Sequence, residues 1–244
     1  MSLGPCCVSG FIHEGTPTGK VVELNGVKTY VALPSGDYDK TKALLYLTDI
    51  FGIDLPNGLL LADSFAKNGL PVYMPDMPNG DPVEKAALQS GKTTLPEWFS
   101  RHGRDVTRPP INKVIAALKE QGVKEFAAIG YCWGARYVVD LILDDEVKVG
   151  VVAHASLIEV PKDIEALDKK PVPFLWIMAL QDYLLTPELQ KQVKELLKDN
   201  KYHSFSDFDA AHGFSNRGDP NDPKIRAEAD RAFEESLAFI KKHL

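Results

Sequence analysis

A chain of 244 residues that is 44% hydrophobic and 25% charged can bury a full core, and its length suits one larger domain or two small ones. A net charge of −6 without a dense Lys/Arg stripe argues against nucleic acid as a partner, and no apolar run reaches membrane-spanning length. Three cysteines, two of them adjacent, make no disulfide framework, and none has zinc-ligand spacing, so neither a metal nor another cofactor is expected. Cys6 and Cys7 read as reduced thiols rather than as a strained vicinal disulfide. The N-terminus turns polar by His13 without a signal-peptide core, which predicts a cytoplasmic protein.

The first 34 residues read as a loop and then a hairpin, Val21 to Leu24 and Lys28 to Leu33 about the turn Asn25-Gly26. Ala43 to Leu47 is a short apolar run without alternation, as in a strand covered on both faces, and Leu59 to Asn68 follows with helical spacing. Val72 to Met74 reads as a strand, Asp105 to Gln121 as a helix, and Phe126 to Ile129 as a strand that runs into a helix over Trp133 to Leu143. Strands at Val149 to Ala153, Phe174 to Ala179 and His203 to Phe208 alternate with helices at Pro187 to Asn200 and Pro223 to His243. The alternation predicts one α/β domain with a mostly parallel sheet and helices on both faces. From Met77 to Pro96, prolines and the Asn79-Gly80 turn break any period, leaving a long excursion that is either a lid or binding loop or a surface insert.

Gly130-Tyr131-Cys132-Trp133-Gly134 joins a predicted strand to a predicted helix through a glycine-flanked cysteine. That is the pattern of a nucleophile elbow, in which the glycines relieve crowding at a strained turn. The helix behind it favours thiolate over thiol through its dipole. The bland alternative is a small buried cysteine at a tight turn. A cysteine nucleophile needs a base and the base an orienting acid. Asp182, past the strand Phe174 to Ala179, and His212, past the strand His203 to Phe208, supply them at strand carboxyl ends, where catalytic groups gather in open α/β sheets. The order nucleophile, acid, histidine is that of an α/β-hydrolase fold. Backbone N–H groups of Trp133 and Ile50 are the expected oxyanion donors. Asp49 is a carboxylate at a strand end or else a loop cap. His154, past Val149 to Ala153, is a pocket residue or a structural histidine, and Tyr131 and Trp133 either wall the pocket or pack the elbow.

The elbow G-Y-C-W-G-A, the D-I-F-G segment at 49 to 52, Asp182 and A-H-G-F at 211 to 214 resemble the dienelactone hydrolases, the cysteine branch of the α/β-hydrolase superfamily. The C-C-x-x-G and H-E-G-T-P-T-G segments between Cys6 and Gly19, W-F-x-R-H at 98 to 102 and A-H-G-F-x-x-R-G-D at 211 to 219 are similar to the fungal branch. The resemblance implies a small lactone or carboxylic-ester hydrolase with Cys132, His212 and Asp182 as nucleophile, base and orienter. It gives Asp49 the place of a glutamate that holds the resting thiol in bacterial members, with a side chain one methylene shorter. It offers Arg217 and Arg101 for a substrate carboxylate, with Trp98 and His102 beside Arg101; the alternative for either arginine is a surface ion pair. A monomer is expected. Two other readings stand beside it: a receptor or carrier that binds a small ligand on a hydrolase frame without turning it over, and a redox-sensing thiol at Cys132.

Overall fold

The computed structural model describes residues 13–244, so Cys6 and Cys7 lie outside the described residues. The hairpin forms at its predicted turn: β1 (Lys20–Leu24) pairs antiparallel with β2 (Val27–Ala32). Asn25 and Gly26 take positive φ of 46° and 77°, the left-handed backbone whose twist suits a two-residue hairpin. The chain then alternates through β3 (Lys42–Leu47), a 3-10 turn (Gly52–Asp54), α1 (Pro56–Lys67) and β4 (Val72–Pro75). α2 (Lys85–Gln89), α3 (Leu95–Arg101) and α4 (Arg104–Glu120) lead to β5 (Glu125–Tyr131), α5 (Gly134–Leu143) and β6 (Val149–Ala153). α6 (Lys162–Leu167), β7 (Phe174–Gln181), α7 (Pro187–Leu196), β8 (His203–Ala211), α8 (Phe214–Arg217) and α9 (Pro223–His243) complete the order.

These strands make one sheet in the order β1-β2-β4-β3-β5-β6-β7-β8, with β2 antiparallel to both neighbours and all pairs from β4 to β8 parallel. The central strands lack alternation because both faces are covered. Leu45, Leu47, Phe126 and Ala128 pack with Ile111, Val114 and Leu118 of α4 and with Val138 and Leu141 of α5. Leu44, Tyr46, Ala127 and Ile129 face the other way, with Phe65 and Ala66 of α1 and Ala232 and Ile240 of α9. This is the doubly covered parallel sheet that the apolar runs predict.

Chain order reverses about β3 and β5, since β4 lies to one side of the pair and β6 to β8 to the other. Leu47 pairs with Gly130, so the loop leaving β3 and the elbow leaving β5 emerge side by side. Such a switch point at strand carboxyl ends is where open α/β sheets bind ligands.

The differences from the sequence reading are local. The excursion after Met77 holds α2 and the start of α3, whose Thr94 and Glu97 form a reciprocal capping box. Its Val83 N–H donates to the Ile50 carbonyl at 2.9 Å, which ties it to the loop leaving β3. The short helices α6 and α8 have too few turns to show a period. α1 begins three residues earlier than the spacing suggests, at Pro56, whose fixed φ and missing N–H suit a first helical position. α7 stops at Leu196, short of Asn200, whose side chain instead bonds Asp168. β7 and β8 run further than their apolar stretches, to Gln181 and Ala211, bringing Asp182 and His212 directly onto the strand ends.

Leu45 is fully buried between β3 and α4. Leu45→Ala should cost about 2–5 kcal/mol of unfolding free energy in urea titration, as a core cavity does; a cost below about 0.5 kcal/mol would contradict this packing.

Candidate active site

Cys132 has φ of 51°, a left-handed conformation that costs an L-residue energy and is kept only where its surroundings impose it. Its N–H donates to the Ala153 carbonyl at 3.1 Å, and its carbonyl accepts from Ala135 at 3.2 Å and Ser156 at 3.1 Å. The flanking glycines are required by space. A Cβ on Gly130 would lie 2.6 Å from the Gly134 carbonyl oxygen and 2.7 Å from Val138 Cγ2. One on Gly134 would run into the Leu47 carbonyl and lie 2.6 Å from that of Thr48. The thiol therefore stands on a turn pressed against the end of β3.

Asp182 follows β7 directly, and its Oδ2 accepts from His212 Nδ1 at 2.8 Å. Asp182 Oδ1 accepts from the N–H of Leu184 at 2.8 Å and of Leu185 at 3.4 Å. Gln190 of α7 pins this turn by donating to the carbonyls of Ala179 and Leu185, at 2.7 and 2.8 Å. His212 follows β8, and Gly213, with φ of 90°, turns the chain into α8. Cys132, Asp182 and His212 are all buried. His212 Nε2 meets no partner in ordinary hydrogen-bond geometry among the described residues, yet it interacts with the sulfur. Burial pushes the imidazolium down, but the Cys132 charge and the Asp182 hydrogen bond outweigh it and raise His212 to about 9. A thiol and imidazole so arranged can exist as a thiolate–imidazolium pair.

Ile50 lies in the loop leaving β3, which emerges beside the elbow that carries Trp133. Neither backbone N–H has an acceptor among the described residues. Asp49 shapes that loop: Oδ1 accepts the Phe51 N–H at 2.9 Å, while Oδ2 takes Asn216 Nδ2 at 2.7 Å and an ion pair with Arg217 Nη1. Asp49 and Arg217 are both buried, and Arg217 lies over the Phe51 ring at 5.4 Å. The surface alternative for Arg217 thus gives way to an internal pair with Asp49.

Trp98 joins the site by an edge-on contact with Trp133, ring centres 4.9 Å apart, and its indole N–H donates to the Asp81 carbonyl at 2.7 Å. His102 stacks on Trp98 at 4.0 Å. Arg101 does not join: its half-exposed guanidinium pairs with half-exposed Asp81 at 3.3 Å, the surface alternative. Docking of α3 turns the Trp98 indole inward, while Arg101, one turn on, reaches the exposed carboxylate of the same Asp81 at the rim. His154 is buried against His212, ring centres 4.9 Å apart, and burial together with the His212 and Arg217 charges holds it neutral. Tyr131 stacks on Tyr46 at 4.9 Å on the opposite side of the sheet from Trp133, so it packs the elbow. The sequence reading missed Gln190, Asn216 and Ser156. Asn216 sits beside Arg217 in the same short helix, whereas no periodicity or motif marks the other two.

Because His212's folded value lies above that of free imidazole, about 6.5, the stability its proton contributes is fully present below about pH 6.5 and is lost as pH rises through about 9. NMR titration should show His212 protonated at neutral pH, and Cys132→Ala should lower its pKa by removing the sulfur charge. An unmoved His212 in that variant would contradict the coupling.

The sequence model of the dienelactone hydrolase family matches residues 27–244. The hydrolase pyvD of Aspergillus violaceofuscus is 32% identical over 248 aligned residues, covering 100% of this chain and 98% of its own. Dienlactone hydrolase 1 of Gibberella moniliformis is 29% identical, with 89% and 85% covered. In fold, the chain is similar to a dienelactone hydrolase-like promiscuous phosphotriesterase from metagenomic libraries, with a TM-score of 0.70, 18% identity and coverage of 93% and 98%. With an eight-stranded, mostly parallel α/β sheet and a family match over nearly its whole length, the chain belongs to the dienelactone hydrolase family of hydrolases.

Proposed function

We propose that this protein hydrolyses a small lactone or activated carboxylic ester through Cys132, by way of a thioester acyl-enzyme. The observation that carries the reading is the left-handed Cys132 coupled to His212, whose far nitrogen is held by buried Asp182 at 2.8 Å. His212 accepts the thiol proton, and the thiolate attacks the carbonyl carbon. The N–H groups of Trp133 and Ile50 hold the oxyanion, and collapse of the tetrahedral intermediate breaks the ester C–O bond. His212 gives its proton to the leaving oxygen, or to solvent where the enolate or aryloxide departs as the anion, and the neutral imidazole then takes a proton from the water that cleaves the thioester and restores the thiolate. An enolate or aryloxide leaves readily, whereas an amine leaves poorly, so enol-lactones and aryl esters fit better than amides.

Supporting roles follow from the contacts. Asp49 holds the oxyanion loop through its Phe51 bond and is itself held by Arg217 and Asn216. Trp98 walls the site from α3, and neutral His154 backs the His212 ring.

Cys132→Ala should lower kcat/KM on enol-lactones and aryl esters by at least about a thousandfold while leaving thermal unfolding in place. Asp182→Asn should cost about a hundred- to ten-thousandfold through loss of imidazole orientation. Undiminished turnover by folded Cys132→Ala protein would refute the reading.

A further inference from the structure

The hydroxyl beside the nucleophile comes from Ser156, in the loop between β6 and α6. Ser156 is 3% exposed, and its Oγ lies 3.8 Å from Cys132 Sγ, the one partner of that hydroxyl among the described residues. Its backbone N–H donates to the Cys132 carbonyl at 3.1 Å, so main chain and side chain both meet the nucleophile. The loop is held in an uncommon shape, with His154 and Leu157 at positive φ of 37° and 58°. A buried ion cluster fixes it. Arg136 of α5 donates to the Leu157 carbonyl at 3.3 Å and pairs with Asp163, which accepts the Glu159 N–H at 2.6 Å. Asp140 pairs with Arg136 at 2.8 Å and with Arg104.

We propose that Ser156 is a further catalytic residue, whose hydroxyl donates a hydrogen bond to the Cys132 thiolate and stabilises it before substrate binds. The inference rests on the proposed function only in taking Cys132 as nucleophile. The Cys132 proton goes to His212 Nε2, and the Ser156 proton stays on its oxygen. A hydrogen bond to an anion is stronger than one to a thiol, so the contact tightens as the thiolate forms. It weakens again once the sulfur is acylated and neutral.

The other charged and titratable groups around the nucleophile have assigned partners or environments. His212 from the β8–α8 turn is bonded to Asp182 from β7, His154 at the end of β6 is neutral, and Asp49 beyond β3 is paired with Arg217. Ser156 is the neutral hydroxyl donor within this set.

Iodoacetamide alkylation across pH, followed by mass spectrometry of the Cys132 peptide so that Cys6 and Cys7 do not contribute, reads thiolate formation directly. Ser156→Ala should shift the acid limb of the rate profile upward by about one pH unit, making alkylation there about tenfold slower. The plateau rate should stay level or rise, because a less stabilised thiolate is the stronger nucleophile. Ser156→Thr, which keeps the hydroxyl, should restore the wild-type profile. An acid limb unmoved in Ser156→Ala overturns the proposal, as does one that Thr fails to restore while thermal unfolding of the Thr protein matches wild type. A Ser156→Ala protein that only melts earlier, with its limb in place, also overturns it by assigning the serine to loop structure. Alkylation is independent of hydrolysis, so loss of this inference leaves the Cys132→Ala test standing, and hydrolysis that survives Cys132→Ala leaves the alkylation result standing.

Discussion

The contact on which the arrangement depends is the bare backbone of Gly134 against the carbonyls of Leu47 and Thr48 at the end of β3. It lets α5 begin immediately behind the sheet, which forces the connection from β5 into one tight turn and puts Cys132 into the left-handed region. Such a conformation costs on the order of 1–3 kcal/mol, offset here by the ladder bond to β6 and by two N–H groups on the Cys132 carbonyl. The same closeness sets the neighbours. Because β3 and β5 are paired and their chains leave side by side, the Ile50 loop faces the elbow without any long insertion to carry it there.

Around that turn, buried charge fixes the loops that supply the other groups. Asp182 with His212, Asp49 with Arg217, and Arg136 with Asp140 and Asp163 are separate buried pairings at the ends of β7 and β8, of β3, and of β6. Buried ion pairs add little net stability over apolar packing, but losing one partner leaves a charge without compensation and costs about 3–5 kcal/mol. Their effect is specificity of position. Asp49 illustrates it: the carboxylate that the family resemblance sets toward the thiol is engaged by Phe51, Asn216 and Arg217, which makes it the brace of the loop leaving β3.

Much of this was legible in the residues because it rests on local or steric rules. Asn25-Gly26 marks the hairpin, the unalternating run Ala43 to Leu47 marks a strand covered twice, and glycines at 130 and 134 mark a turn with no room for Cβ. Asp182 and His212 were legible by placement past strand ends, which the structure extends to meet them. What escaped depends on contacts between distant segments. Arg101 and Trp98 are three residues apart in one helix, and only docking of that helix decides that the indole turns inward and the guanidinium meets Asp81 at the surface. Ser156 reaches the sulfur because Arg136, in another element, fixes the loop that carries it. No spacing rule reports either fact.

The central claim is that Cys132 becomes covalently acylated during turnover. Rapid acid quench of the enzyme with an activated aryl ester, followed by peptide mass spectrometry, tests it most directly. The account predicts a burst of released aryl alcohol matched by acyl mass on the peptide containing Cys132, and no such adduct in Cys132→Ala. Steady turnover with Cys132 unmodified throughout the burst, or acyl mass carried by another side chain, would contradict it.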